Sequence, residues 1–170
     1  LGLRGAIGLL ASRAAVPAYG GAQLVVASQF GPLRPELAIG IYGAADDDHQ
    51  YRRLDIPISI GQLWNLTGSE VPVYLALQFD ATYASRALPG YVPGPSTEEA
   101  WLLGGGGGIG IDLPASDSTR LLADLRLGAT TRVAGSPPLR IPQPNGDPAE
   151  AIGMQFRMLL SLTLLWNVVD

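Results

Sequence analysis

The single histidine of the sequence lies in an acidic stretch that could do chemistry. His49 follows directly after Asp46, Asp47 and Asp48, between two apolar segments. An imidazole beside carboxylates could serve as a catalytic base, and carboxylate oxygens could bind a cation. No serine lies at an obvious spacing that would complete a nucleophilic pair with this histidine. We therefore predict an exposed polar loop without a catalytic residue or a metal, and we keep the two chemical interpretations as alternatives.

A run of glycines over residues 104–110 formally contains the dinucleotide-binding pattern G-x-G-x-x-G. That pattern binds a pyrophosphate only where it joins a strand to the start of a helix, and no helical pattern follows here. We therefore expect no cofactor. Glycines within a strand leave room for groups on neighbouring strands, and we expect Tyr74 or Arg126 to use that room. The alternative is a groove for a partner or a lipid, because Gly105 and Gly107 should face outward.

Charged side chains also recur within segments that are otherwise rich in apolar residues. An unpaired charge in a closed interior costs several kcal/mol, so we expect these side chains to pair with one another. We interpret them as a structural salt-bridge network that fills an interior, with a path for protons or ions as the alternative. The predicted network consists of Arg4, Glu36, Asp55, Asp80, Asp124, Arg126 and Arg157.

The elements that carry these charges are predicted to be β-strands. In residues 153–166 every even-numbered position is apolar, while Gln155, Arg157, Ser161 and Thr163 occupy odd-numbered positions. A period of two places successive side chains on opposite faces of a strand, whereas a helix would scatter these polar residues around its circumference. This segment is much longer than the usual strand of about 5–6 residues, and one of its faces is apolar throughout.

The same alternation recurs along the chain and predicts an all-β fold. We predict an eight-stranded antiparallel up-and-down β-barrel that forms a single domain over residues 1–170, and no segment shows a convincing helical period. Each strand has one apolar face and one face of small or polar residues. The predicted strands are residues 1–11, 22–30, 36–43, 53–66, 73–84, 101–113, 120–132 and 153–166.

The connections between these strands alternate in length, which predicts two different ends of the barrel. Longer polar or Pro/Gly-rich stretches occupy residues 12–21, 44–51, 85–99 and 133–150. Short connections occupy residues 31–35, 67–72 and 114–118. In an up-and-down meander, successive connections emerge at opposite ends of the sheet. One end of the barrel therefore carries long loops and the other carries tight turns.

Aromatic residues at the strand ends suggest that the apolar faces contact lipid. Phe30, Trp64 and Trp166 are placed at the short-turn end, and Tyr83 and Trp101 at the long-loop end, all on the apolar face. Membrane barrels carry such aromatic girdles at both interfaces with water. Only helices and closed barrels satisfy their backbone hydrogen bonds in lipid. The pattern therefore predicts a transmembrane barrel with an aromatic girdle.

Composition excludes several other classes of protein. The net charge of −4, with charged residues at 15%, leaves no basic patch for nucleic acid. Cysteine is absent, so disulfides and thiol chemistry are excluded. No apolar run is long enough for a transmembrane helix, and the first residues do not resemble a signal peptide. We expect a processed chain or a part of a larger protein.

At this point the sequence resembles the small eight-stranded bacterial outer-membrane barrels of the OmpA/OmpX type. The resemblance covers nearly the whole chain and concerns strand number, alternation and loop asymmetry. It implies the outer membrane of a Gram-negative bacterium, with extracellular long loops and periplasmic turns and termini. It also implies membrane lipids and lipopolysaccharide as partners, together with other envelope proteins. Such chains often end on an aromatic residue, whereas four residues follow Trp166 here.

The resemblance favours a membrane anchor or interaction module without enzymatic activity. A second hypothesis is an outer-membrane enzyme, since some eight-stranded barrels modify lipid A and one group of them uses a histidine and a serine. His49 would then be its only candidate base. A soluble lipocalin-like barrel is the third hypothesis, and a conducting pore is the fourth. The third requires the apolar faces to point inward, and the fourth requires a lumen that side chains leave open.

Overall fold

The protein is built entirely from strands over the residues described by the computed structural model. These residues are 1–12, 18–46, 51–66, 72–87, 97–138, 140–141, 149–150 and 153–166. No helix in these ranges is long and apolar enough to cross a membrane. The strands are β1 (Gly2–Ser12), β2 (Ala18–Ala27), β3 (Leu33–Asp46), β4 (Tyr51–Asn65), β5 (Val73–Ala87), β6 (Thr97–Ser116), β7 (Thr119–Gly135), β8 (Arg140–Ile141), β9 (Ala149–Glu150) and β10 (Gln155–Trp166).

Eight of these strands close into one antiparallel barrel. Their order around the ring is β1-β10-β7-β6-β5-β4-β3-β2, and β2 pairs with β1 to complete it. The remaining two strands, β8 and β9, form a separate two-stranded sheet within the connection between β7 and β10. The predicted eight-stranded up-and-down barrel is therefore confirmed. Sequence reasoning missed the small β8–β9 sheet.

Several strands extend further than the apolar alternation predicted. β6 begins at Thr97 and β7 continues to Gly135, beyond the predicted limits of residues 101–113 and 120–132. The extensions are too polar or too short to show the apolar period that marks the rest of each strand. Backbone pairing continues because neighbouring strands still offer partners. Conversely, Phe30 was predicted to end a strand, but it lies in the turn and bridges to Leu33.

The regular pairing of the strands is interrupted at several points. The register between β6 and β7 shifts at Trp101 and Leu102, where β7 contributes an extra residue as in a β-bulge. The pairing of β3 with β4 is interrupted between Ile39 and Tyr42, opposite Pro57. Proline has no backbone N–H to donate, so it cannot complete the ladder at this point.

The alternation in each strand decides which side chains face the lumen. Inward positions such as Tyr74 and Leu122 are almost completely buried, at 0% and 1% exposure. Outward positions are apolar and exposed, for example Phe79 at 78% and Ile7 at 69%. The barrel therefore has a polar, filled interior and an apolar exterior. A water-soluble barrel has the opposite arrangement.

Candidate functional site: the barrel lumen

Four charged residues form a continuous chain of ion pairs in the middle of the lumen. The Nη2 of Arg4 lies 2.6 Å from Oε2 of Glu36, and Oε1 of Glu36 lies 3.1 Å from Nη1 of Arg126. The Nε of Arg126 is 2.9 Å from Oδ1 of Asp124. All four residues are buried, so each charge is stabilised by its partners instead of by bulk water.

These pairs cross the barrel and do not merely follow its wall. Arg126 is on β7 and Glu36 is on β3, which are four strands apart in either direction around the ring. Their contact therefore spans the full width of the lumen. Arg4 reaches Glu36 past β2, where Gln23 accepts a hydrogen bond from its guanidinium at 3.4 Å. Direct contact between opposite walls indicates a lumen that side chains close.

A second group of polar residues continues this network around the wall. The Arg157 guanidinium pairs with Asp80, from β10 to β5. Ser59 donates a hydrogen bond of 2.7 Å to the same carboxylate. Gln78 donates to Asp80 and accepts from Arg126, so it joins this group to the central chain of ion pairs.

The Asp124 carboxylate is held by two hydroxyl groups as well as by its arginine. The Tyr74 hydroxyl donates a hydrogen bond of 2.6 Å to Oδ2 of Asp124, and Ser161 donates to Oδ1. Because hydroxyl groups from β5 and β10 converge on β7 at this carboxylate, it ties three strands together. A buried carboxylate needs several donors of this kind to replace its lost hydration.

Asp55 is in the lumen as predicted, but its partners lie outside the predicted set. Its carboxylate pairs with Arg53 of the same strand, at 2.6 Å from Nε to Oδ1. Tyr19 donates a hydrogen bond of 2.8 Å to its second oxygen. Arg53 also donates to Gln155, which lies on the opposite wall. Asp55 thus belongs to a separate cluster near the long-loop end.

Two further clusters were missed by sequence reasoning and lie towards the two ends of the barrel. At the short-turn end, Asp112 pairs with Arg34 at 2.9 Å and with Arg120 at 2.8 Å. At the long-loop end, Arg132 pairs with Glu98. Each of these residues occupies an inward-facing position in the two-residue repeat of its strand, as the predicted lumen residues do. That repeat was the sequence signal that could have identified them. They were missed because they lie in or near segments that were read as turns and strand ends.

Glycines in β6 make room for the large side chains that fill the lumen. A Cβ atom on Gly110 would lie 2.6 Å from Cζ of Tyr74 and 2.5 Å from the Ala123 carbonyl oxygen. A Cβ atom on Gly108 would lie 2.9 Å from Cγ of Arg126. Gly108 and Gly110 therefore make room for Arg126 and Tyr74, the two side chains that the structural interpretation named.

Little space remains in the middle of the lumen. A cavity of about 30 Å³ is bordered by polar groups of Gln23, Gln78, Arg126 and Arg157, among others. A volume of this size holds about two water molecules, and these polar groups would be suitable partners for them. Within the described part of the chain, the interior is therefore a packed polar core with a small gap.

The five aromatic residues predicted to form a girdle lie towards the two ends of the barrel. Phe30 lies in the turn after β2, and Trp64 and Trp166 end or nearly end β4 and β10. Tyr83 and Trp101 meet from neighbouring strands near the long-loop end, with ring centroids 5.6 Å apart in an edge arrangement. Phe30 and Trp101 are exposed, and the other three are partly exposed.

The acidic stretch around His49 contributes nothing to the described site. Asp46 ends β3, and Asp47, Asp48 and His49 lie outside the described residues. In the part of the chain that the structure describes, no group of three or more histidine, cysteine, aspartate or glutamate side chains could hold a metal ion. The catalytic and cation-binding hypotheses for this stretch stay predictions.

Comparisons with known proteins agree on the architecture. No protein-family model matches the chain, and no curated protein matches it significantly. The crystal structure of Neisserial surface protein A (NspA) superimposes with a TM-score of 0.65 at 15% identity, covering 98% of this chain and 94% of that one. A major outer membrane protein from Thermus thermophilus superimposes with a TM-score of 0.50 at 13% identity, covering 97% of each chain. At these identities the likeness concerns the fold, and this chain has the fold of the small eight-stranded outer-membrane β-barrels.

Proposed function

We propose that the protein is an integral outer-membrane barrel with a plugged lumen that serves as a membrane anchor or interaction module. The observation that carries this proposal is the inverted distribution of polarity. Charged residues such as Arg4 and Glu36 are buried inside, while large apolar residues such as Ile7, Ile60 and Phe79 are exposed outside. Such a surface is unfavourable in water and favourable in the hydrocarbon region of a bilayer.

The closed sheet supports the same conclusion from the backbone. Each of the eight barrel strands pairs on both sides, so the sheet has no free edge. A bilayer offers no water to satisfy unpaired N–H and C=O groups, so this closure suits a hydrocarbon environment. The exposed apolar residues also occur on every barrel strand, which gives a continuous belt instead of a local patch.

A plugged lumen favours an anchor or interaction module over a pore. The Arg126–Glu36 pair joins opposite walls, and Arg53 joins the opposite wall again through Gln155. Ions would have to displace these pairs to pass. The long connections would then carry any interaction with other envelope proteins, because loops on a rigid scaffold are the usual place for recognition. We propose no cofactor.

We further propose that the long connections are extracellular and that the turns and both ends of the chain are periplasmic. This orientation rests on the asymmetry of the connections. The turns after β2 and β6 are short, whereas residues 88–96 and residues 136–154 separate the neighbouring barrel strands at the other end. Bacterial outer-membrane barrels have short periplasmic turns and longer extracellular loops.

Heat-modifiability after expression in a Gram-negative host tests this proposal. The membrane fraction is separated on a density gradient, and the outer-membrane fraction is run on a detergent gel with and without boiling. We expect the protein in that fraction, with a faster band in the unboiled sample because a closed barrel resists the detergent. Stable conductance in planar bilayers would contradict the plugged lumen. Recovery as a water-soluble monomer without detergent would contradict the membrane location.

A further inference from the structure

The outer surface of the barrel has a groove within its apolar belt. It lies on β1, β2, β3 and β10, towards the long-loop end, and its volume is about 670 Å³. That volume is in the range of ordinary ligand pockets. The groove is walled by Ile7, Leu9 and Leu160 and floored by Ala18, Gly20 and Gly43.

Strand register explains why the groove exists. Gly20 of β2 pairs directly with Gly43 of β3, and both face outward, so no side chain covers the sheet there. Gly20 is flanked on its other side by Ile7, and Gly43 is flanked by Leu54. Large side chains therefore stand on both sides of a bare strip of backbone. The result is an elongated trough over β2 and β3.

A cationic side chain stands beside the upper end of this trough, on the neighbouring strand β4. Arg52 is exposed and faces outward, because Arg53 next to it is buried and Leu54 is exposed again. It lies diagonally across from Gly43, since Gly43 pairs with Leu54 two residues further along β4. Diagonal neighbours in a sheet are about 7–8 Å apart, which a long side chain spans.

The height of Arg52 matches a membrane interface. Ile56 pairs with Tyr83, so Arg52 lies four residues beyond the aromatic level on the same strand. Aromatic girdles mark the level of the lipid headgroups. Among the arginines whose side chains the structure describes, Arg52 is the one that is exposed, while the others are buried or partly buried in the lumen.

We propose that this groove binds an anionic membrane lipid, with an acyl chain lying along Gly20 and Gly43 and the headgroup phosphate against the Arg52 guanidinium. This inference rests on the membrane location proposed above. Bulk lipid contacts the whole belt, but Arg52 is the one exposed arginine among those with described side chains, and it stands beside this trough. A guanidinium pairs well with phosphate oxygens, and the pairing is stronger where water is scarce.

A second copy of the chain is a poorer occupant of the groove. A two-fold axis along the membrane normal keeps every residue at its own height in both copies. Two Arg52 side chains would then meet at the same rim and repel each other. An anionic headgroup meets the same charge favourably.

Native mass spectrometry of the folded barrel in detergent tests the proposal. The protein is titrated with phosphatidylglycerol, and in a parallel series with phosphatidylcholine, which has no net charge. Two variants alter the groove: Gly43→Leu fills its floor, and Arg52→Gln removes the charge at its rim. A Cβ atom on Gly43 has its nearest neighbour at 3.7 Å, which is ordinary van der Waals contact, so the backbone accepts a side chain at this position. The matched control is Ala123→Leu, which places the same leucine side chain at an outward position of β7, the strand opposite β3.

We expect the wild-type barrel to retain one phosphatidylglycerol molecule in a saturable manner and to prefer it to phosphatidylcholine. Arg52→Gln should weaken phosphatidylglycerol binding about fivefold, the contribution of one basic side chain at an anionic surface, and should abolish the preference. Gly43→Leu should remove the saturable site for both lipids, while Ala123→Leu should behave like the wild type.

Equal lipid binding by all four proteins would overturn the proposal. So would a dimer that contains no lipid and is broken by Gly43→Leu, because the occupant would then be a second copy. Each variant is first checked for the band shift of the closed barrel. A wild-type barrel that never enters membranes would instead refute the proposed function, and the two failures are therefore distinguishable.

Discussion

The sharpest test of the plugged lumen is the substitution Glu36→Gln. The Glu36 side chain lies between two guanidiniums, at 2.6 Å from Arg4 and 3.1 Å from Arg126, and it is 4% exposed. Glutamine has nearly the same size and shape, so packing around the residue is retained. The change removes the negative charge and leaves two buried cations facing a neutral amide.

The expected cost follows from these contacts. A hydrogen bond to a charged group contributes about 1.5–3 kcal/mol, and two such bonds are weakened here. Removing one partner from a buried ion pair costs about 3–5 kcal/mol, because the remaining charge stays uncompensated. We therefore expect the free energy of unfolding to fall by about 4 kcal/mol. If bulk water filled the lumen, screening would reduce the loss to below about 1 kcal/mol.

Reversible urea unfolding of the barrel in lipid vesicles measures this difference, with tryptophan fluorescence as the probe. Asp117→Asn is the matched control, since it makes the same carboxylate-to-amide change in an exposed turn between β6 and β7. We expect the control to unfold like the wild type. Similar small losses in both variants would refute the reasoning, because the lumen charges would then be hydrated and the ion pairs would not hold the barrel closed.

Three further predictions concern packing, the apolar belt and orientation. Gly110→Ala should lower the free energy of unfolding by about 1–3 kcal/mol in the same assay, because its methyl group meets backbone and the Tyr74 ring. The control Gly5→Ala, with open space around its Cβ, should change the stability little. Equal effects of the two substitutions would show that β6 can move away from the added methyl group. If residue 79 lies near the bilayer midplane, Phe79→Arg should lower the free energy of unfolding by about 2–4 kcal/mol, and Thr97→Arg by about 0–1 kcal/mol. A similar loss at both positions would argue against a hydrocarbon belt. Because the chain has no cysteine, single-cysteine variants report the orientation of the barrel in the membrane. A membrane-impermeant maleimide added to intact cells should label Thr97→Cys, and it should label Ser118→Cys only after lysis. The reverse labelling pattern would invert the proposed topology.

The structure agreed closely with the sequence-based prediction where the alternation of apolar and polar residues was strong. The alternation in residues 153–166 placed Gln155, Ser161 and Thr163 in the lumen, and all three are buried. Prediction was weaker at strand ends, where Thr97 and Gly135 extend β6 and β7. The alternation of apolar and polar residues does not continue clearly into those ends. Only hydrogen-bonded pairing with a neighbouring strand shows that they belong to the sheet.

The partners within the lumen were beyond the reach of the sequence. Asp55 was expected to pair with one of three arginines, yet it pairs with Arg53, its neighbour two residues away on the same strand. Arg126 pairs with Glu36, which is distant in sequence and on the opposite wall. The position of a residue in the two-residue repeat predicts which face of the sheet it occupies, but it does not predict its height along the barrel axis.

The sequence by itself determined the strand period, the number of barrel strands, the two unequal ends and the separation of apolar from polar faces. These properties are local, because each depends on the order of residues within one segment and on the two-residue repeat of a strand. The tertiary structure alone decided which charges meet across the lumen and where the outer groove lies between Gly20 and Gly43. Those properties depend on how neighbouring strands are shifted along one another when the sheet closes, and that shift is fixed by all eight strands together.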